Sequence, residues 1–277
     1  MSKKKTKVKV ELQRRDFLTV AGVALGSAAV AQFVTTGPLS PFSQFQQSQL
    51  EGGAQTGHGA ATGNYHWGMI INLDKCIGCE YCLRGCCANN DVNPDKPWNI
   101  VVEEKTSTGQ TFYFSRPCLH CQNAPCIEVC PVGATYHRDD GLVMMDYDRC
   151  IGCRYCQVAC PYDARRFNWK EYTEPNPYVP TYGTPQVERR PRGVVEKCTF
   201  CVQRIDLALE SGKMPGEDPE ATPACVGICP VGARVFGNLK DHDSLIYHML
   251  EENPTIRLNE ELGAEPSVYY IPPKEGL

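Results

Sequence analysis

The sequence predicts an α+β fold of small sheets and short helices, with something other than a large aliphatic core at its centre. Three observations predict it. The chain has 277 residues and 17 cysteines, about one residue in sixteen and far above ordinary usage at this length. Hydrophobic residues make up 42% with the cysteines counted and about 36% without them, thin for a conventional core of this size. Turn signals at Thr106-Ser107-Thr108-Gly109 and Asp139-Asp140-Gly141 separate short runs that read as hairpin strands. Whatever the cysteines bind must therefore replace part of the core.

Taken in chain order, residues 1–15 are basic, with Lys3, Lys4, Lys5, Lys7, Lys9, Arg14 and Arg15 against Glu11. Arg14-Arg15-Asp16-Phe17-Leu18 opens an apolar, small-residue stretch that runs to Val34, a charged n-region followed by an h-region. The paired arginines before Phe-Leu resemble a twin-arginine export signal, and Ala29-Val30-Ala31 offers a cleavage site, so residues 1–31 are read as the signal segment. A short membrane anchor is the alternative, but the stretch is interrupted by Thr, Gly, Ser and Gln where a span wants about 20 predominantly apolar residues. Twin-arginine export implies a protein that folds before it crosses the membrane, as a cofactor inserted in the reducing cytoplasm requires. Without residues 1–31 the chain keeps 21 Lys and Arg against 30 Asp and Glu, a net charge of −9, which argues against a nucleic-acid partner. Residues 32–65, rich in Gly, Gln, Ser, Thr and Pro, read as a flexible linker or a strap along a partner.

Residues 66–73 alternate well enough for a strand. Hairpins are expected at 99–105 with 110–116 and at 134–138 with 142–147, and short strands at 164–169 and 193–197. Helices are expected at 202–211 and 244–252. Residues 171–193, rich in Pro, Tyr and Arg, read as an irregular insertion suited to partner contact. The folded part is expected over 66–253, with 254–277 as a C-terminal tail.

All 17 cysteines fall between Cys76 and Cys229, and sixteen form four groups. The first is Cys76, Cys79, Cys82 and Cys86. The second is Cys118, Cys121, Cys126 and Cys130, before Pro131. The third is Cys150, Cys153, Cys156 and Cys160, before Pro161. The fourth is Cys198, Cys201, Cys225 and Cys229, before Pro230. Groups one and three have the spacing of the bacterial ferredoxin run, in which a short loop wraps three iron corners of one [4Fe–4S] cube and the fourth thiolate reaches a second cube. Group two widens the middle gap to four residues and group four opens it to 23. Asp74-Lys75-Cys76-Ile77-Gly78-Cys79 recurs nearly unchanged as Asp148-Arg149-Cys150-Ile151-Gly152-Cys153, and Cys130-Pro131-Val132-Gly133-Ala134 as Cys229-Pro230-Val231-Gly232-Ala233, which suggests duplication. Gly78 and Gly152 are placed to let backbone approach a cube.

Zinc sites also use cysteines two apart, but rarely a third, and the Cys-Pro ending has no role there. An odd count speaks against a closed disulfide framework. Cys87, off the spacing by one, reads as a small filler residue. No histidine reads as a ligand: His58 lies in the linker, His66 and His137 flank strands as surface or packing residues, and His120 sits in a group whose four positions are already filled. Lys75, Arg116, Arg149, Arg154, Arg165, Arg166 and Lys197 lie near the groups. They read as solvated charges, the sharper alternative being that some offset the negative charge of the clusters.

The four groups, the gap of 23, and the segments Arg116-Pro117-Cys118-Leu119-His120-Cys121 and Glu196-Lys197-Cys198-Thr199-Phe200-Cys201 resemble the iron–sulfur electron-transfer (β) subunits of molybdopterin oxidoreductases, the dimethyl-sulfoxide, polysulfide, tetrathionate and formate group. The resemblance covers residues 66–275 and matches all sixteen positions. It implies two ferredoxin-like modules with hairpin and loop insertions, each holding two [4Fe–4S] clusters, group one paired with four and two with three. Carried over, one cube takes Cys76, Cys79, Cys82 and Cys229. Its neighbour takes Cys198, Cys201, Cys225 and Cys86. A third takes Cys118, Cys121, Cys126 and Cys160, and the last Cys150, Cys153, Cys156 and Cys130. Some relatives replace one cysteine and hold a three-iron cluster; all sixteen are present here, so four [4Fe–4S] clusters are expected. Cys87 is a departure, and so is a signal on this subunit, since some relatives are exported with a signal-bearing catalytic subunit.

The resulting expectation is an electron relay without catalytic residues, peripheral to the extracytoplasmic face of the membrane. It would join a membrane-integral quinone-interacting subunit or a cytochrome to a molybdopterin-type catalytic subunit, with no nucleic acid and no small-molecule substrate bound directly. A freely diffusing polyferredoxin and a zinc-dependent structural protein are the competing expectations.

Overall fold

The structure, a computed structural model, describes residues 63–274. The expected signal segment and residues 32–62 of the expected linker lie outside them. In chain order, β1 (Trp67–Asn72) leads through the first cysteine group into α1 (Tyr81–Asn89). The hairpin of β2 (Ile100–Lys105) and β3 (Thr111–Arg116) precedes the second group, which contains α2 (Pro125–Glu128). A second hairpin, β4 (Thr135–His137) and β5 (Val143–Met145), precedes the third group and α3 (Tyr155–Ala159). Next, β6 (Arg166–Phe167) pairs with β7 (Val195–Glu196) across the insertion. Within the span of the fourth group lie α4 (Val202–Glu210) and α5 (Ala224–Gly227). Beyond it come β8 (Arg234–Asn238), α6 (Leu245–Glu252) and β9 (Val268–Ile271).

Three strands form the largest sheet, in the order β8-β1-β9. β1 runs antiparallel to β8, with Met69 opposite Phe236, and parallel to β9, with Met69 opposite Val268. Successive side chains of a strand point to opposite faces. Trp67, Met69 and Ile71 thus enter one core with Leu73, Leu119, Leu142, Phe200, Phe236 and Tyr270. Ile70 enters a smaller core with Ile246 of α6 and Ile271 of β9. Burying each such side chain stabilises the fold by roughly 1.5–3 kcal/mol. α6 starts at Ser244, whose Oγ accepts from the Tyr247 N–H at 3.3 Å, a side-chain N-cap.

Buried cysteines are woven into the larger core. α1 packs against α5 and α2 against α3, so the helices of groups one and four meet, and those of groups two and three meet. Both expected hairpins and the helices at 202–210 and 245–252 lie where turn chemistry and periodicity put them.

The stretch after residue 253, expected as a tail, supplies β9 and the loop before it. The Ser267 carbonyl accepts from the Met69 N–H at 3.0 Å, and the Ser267 N–H donates to the Leu119 carbonyl at 2.9 Å. A four-residue strand shows too brief an alternation to be read from sequence. The insertion at 171–193 has no regular structure and is tied across the end of α1. Asn176 Nδ2 donates to the Cys87 carbonyl at 2.8 Å, the Gln186 N–H to the Asn89 carbonyl at 2.9 Å, and Arg189 pairs with Asp91 at 2.9 Å. Among the described residues no helix is long and apolar enough to cross a membrane.

Candidate metal centres

Loops one and three share an unusual backbone. Gly78 has φ +70° and Gly152 φ +69°, and the residues two further on, Glu80 and Arg154, are also left-handed at φ 61° and 64°. Such alternation turns successive N–H groups toward one side of a loop and makes a concavity suited to anionic sulfur. Side chains are excluded at both glycines. A Cβ on Gly78 would lie 2.4 Å from the Tyr113 ring, and one on Gly152 2.2 Å from the Gly193 carbonyl oxygen.

Fifteen of the sixteen cysteines of the four groups gather into four sets. Cys76, Cys79, Cys82 and Cys229 line one cavity, with Ile71 and Arg234. Cys118, Cys121, Cys126 and Cys160 line another, with Leu119, Val143 and Arg165. Cys86 lies among Cys198, Cys201 and Cys225. Asn90 Nδ2 spans two of them, 3.4 Å from Cys201 Sγ and 3.8 Å from Cys86 Sγ. Cys156, in α3, lies within electrostatic reach of Cys130 and Cys150 as well as of Cys126, and Cys153 stands between Cys150 and Cys156 in the chain. Cys82 and Cys86, one helical turn apart on the same face of α1, belong to different sets.

The sets are neighbours in sequence of contact. Cys225 is within electrostatic reach of Cys82, Cys198 of Cys118, and Cys156 of Cys126. The order is therefore a line. The Cys76 set comes first, then the Cys198 set, then the Cys118 set, and the Cys150 set last.

The surroundings suit sulfur that carries negative charge. The Ala134 N–H donates to Cys130 Sγ at 3.2 Å, Ala233 to Cys229 at 3.3 Å and Phe200 to Cys198 at 3.4 Å. Asn99 Nδ2 donates to Cys82 Sγ at 3.2 Å. Such bonds stabilise thiolate ligands and tune the metal behind them. In the thiol form three of the buried cysteines are held protonated. Burial first, and then neighbouring cysteines, push Cys121 and Cys198 far up, and burial pushes Cys225 up to about 12. None of the cysteines is disulfide-bonded. Among the described residues no group of His, Cys, Asp or Glu converges closely enough to hold a single metal ion. A zinc ion needs its four ligands about 2.0–2.3 Å from one point. Eight of the sulfurs line the two cavities above, as a polynuclear centre requires, and the donor set fits iron–sulfur cubes.

His120 is fully buried and stacks on Phe200 with ring centroids 3.9 Å apart. Its Nδ1 accepts from the Val143 N–H at 3.1 Å, and burial followed by nearby Lys197 lowers its pKa well below the usual range. The basic residues divide. Arg149 is exposed, as expected of a solvated charge. Arg165 and Lys197 are fully buried. Arg234, which sequence reasoning missed, is also buried and donates to Cys225 Sγ at 3.4 Å. One signal could have found it: Arg234 follows Cys229 by five residues, as Arg165 follows Cys160.

Short helices and small sheets that present paired sets of cysteine donors define a ferredoxin-like electron-transfer protein. Models of the 4Fe–4S dicluster domain match residues 109–175 and 149–233. The chain is 40% identical to the menaquinone reductase iron–sulfur cluster-binding subunit of Nitratidesulfovibrio vulgaris, over 76% of this chain and 89% of that one. It is 35% identical to the Hdr-like menaquinol oxidoreductase iron–sulfur subunit 1 of Archaeoglobus fulgidus, over 94% of this chain and 97% of that one. With the arsenate respiratory reductase iron–sulfur subunit of a Shewanella species it shares 34% identity over 74% and 95% of the two chains. The chain belongs to the family of iron–sulfur subunits of the dimethyl-sulfoxide, polysulfide, tetrathionate and menaquinone reductases. It holds multiple [4Fe–4S] clusters in ferredoxin-like dicluster domains and is an electron-transfer subunit of a multi-subunit oxidoreductase, not its catalytic one.

Proposed function

We propose that the chain holds four [4Fe–4S] clusters on the sixteen cysteines, one per set, and relays electrons along them inside an extracytoplasmic respiratory complex. The observation that carries this is the chain of contacts that links the four sets, Cys82 with Cys225, Cys198 with Cys118, and Cys126 with Cys156. When bound, each cluster supplies one-electron transfer at a potential tuned by hydrogen bonding and burial. The chain's residues do the rest. Sixteen thiolates hold the clusters, backbone amides and Asn99 donate to sulfur, and the apolar core of Leu119, Val143, Phe200 and Phe236 keeps water from the inner sets.

The two ends of the line lie under exposed apolar side chains. Ile77 and Tyr81 are exposed beside the Cys76 set, and Ile151, Tyr155 and Val158 beside the Cys150 set. Exposed apolar groups of this kind mark partner contact. One end would meet a membrane-integral quinone-interacting subunit or a cytochrome, and the other a molybdopterin-type catalytic subunit. The paired arginines Arg14 and Arg15 support export of the folded protein by the twin-arginine route, with residues 1–31 as its signal. Gentle extraction of native membranes, followed by size separation and identification of the bound chains, tests this reading. Recovery with a membrane subunit and a catalytic subunit is the expected result; recovery only as a lone monomer from the soluble fraction sinks it.

A further inference from the structure

Three buried cations in this chain have no carboxylate partner among the described residues: Arg165, Lys197 and Arg234. Elsewhere the fold pairs such groups. Arg190 is also buried and meets the Glu196 carboxylate at 3.1 Å. A buried cation without a counter-charge is strongly unfavourable, so another anion must face each of the three.

Cysteine sulfur faces the two arginines directly, Lys197 lies within electrostatic reach of Cys198, and each cation stands at a different gap in the line of sets. Arg234 Nη1 is 3.4 Å from Cys225 Sγ, and its Nη2 donates at 2.8 Å to Asn99 Oδ1, whose amide donates to Cys82 Sγ. That is the gap between the first and second sets. Arg165 Nη2 is 2.9 Å from Cys126 Sγ, and its field also reaches Cys156. That is the gap between the third and fourth. Lys197 precedes Cys198 and donates at 2.6 Å to its carbonyl, and Cys198 is the cysteine within reach of Cys118 across the middle gap. The two arginines are related by the duplication. Each follows a Cys-Pro cysteine by five residues and touches the third cysteine of a group, Arg165 that of its partner group and Arg234 that of its own. Each also rests on a methionine thioether, Met69 in one case and Met145 in the other, at 3.4 Å.

We propose that Arg234, Lys197 and Arg165 form a series of fixed cations, one in each gap, that raises the reduction potentials of the centres on either side and limits repulsion between neighbours when both are reduced. The proposal rests on the four-centre reading above. A cluster with four thiolates is a net anion and gains one more negative charge on reduction, so a nearby fixed cation favours the reduced form on both sides of its gap.

The test is a redox titration of the full-chain holoprotein, or of its native complex, followed by the paramagnetic signals of the reduced centres, with iron counted on every sample. Arg165→Gln should lower two midpoint potentials, Arg234→Gln the other two, and Lys197→Gln one from each pair. Arg165→Lys, Arg234→Lys and Lys197→Arg should stay at the wild-type values. Fully loaded glutamine variants with unmoved potentials overturn the proposal. So do equal shifts in the charge-keeping and glutamine variants, because shape and not charge would then be at work. If a glutamine variant loses iron, its charge-keeping partner decides: full iron and unshifted potentials there support a need for charge, and iron loss there overturns it. A wild-type content near ~16 irons per chain checks the four-centre reading separately, so the two failures are distinguishable.

Discussion

Cys86 and Cys87 are adjacent and both buried, yet their sulfurs meet different company. Cys86 lies among Cys198, Cys201 and Cys225. Cys87 has Glu196 and Arg190 nearby, and burial, with the Glu196 charge behind it, pushes its thiol up to about 12. A protonated thiol facing a carboxylate packs as a small apolar group. Cys87→Ala should therefore leave iron content unchanged, whereas Cys153→Ala should lose the iron of one centre and slow electron throughput, both read by metal analysis and a dye-reduction assay. The cysteines were legible in the sequence because wrapping a cube fixes their spacing within a few residues. The cations were not, because their partners are remote in the chain: Arg165 meets Cys126 across 39 residues and Arg234 meets Asn99 across 135. A charge beside a cysteine run reads the same whether it points to water or to sulfur.

Among the elements, the loops that precede α1 and α3 carry the most exacting geometry. A methyl group on Gly152 would meet the Gly193 carbonyl at 2.2 Å in a backbone already at φ +69°, whereas Gly109, at φ +89°, has open space around it. Gly109→Ala should cost about 1–2 kcal/mol through the left-handed backbone alone. Gly152→Ala adds a clash in the loop that presents Cys150 and Cys153, so it should lower the melting temperature further and release iron. Thermal unfolding with iron counting on both variants checks the contrast. Hairpins such as β4–β5 announced themselves through Asp-Gly turn chemistry. α1 and α3 did not, since their sequences serve cysteine placement and each starts from a left-handed residue instead of a side-chain cap.

For the molecule as a whole, the clusters are part of what holds it together. Buried cysteines from all four groups lie in the same core as Trp67, Leu119 and Phe236, and the opposing helices of each pair approach one another across them. Metal binding then contributes folding free energy directly. Stripping iron with a chelator under anaerobic conditions should lower the melting temperature and broaden the transition, as followed by circular dichroism. Trp67, fully buried against Phe236, should redden in fluorescence as the core opens. β1 has a further consequence for the order of events on the ribosome. Among the described residues it is the first strand to be made, yet both of its neighbours come from residues 234–271. The sheet beside the first cysteine set stays open until β8 and β9 have both been made. Closure of the fold around that set is thereby postponed until residues 234–271 have emerged, and a fragment ending before them would leave β1 unpaired on both edges.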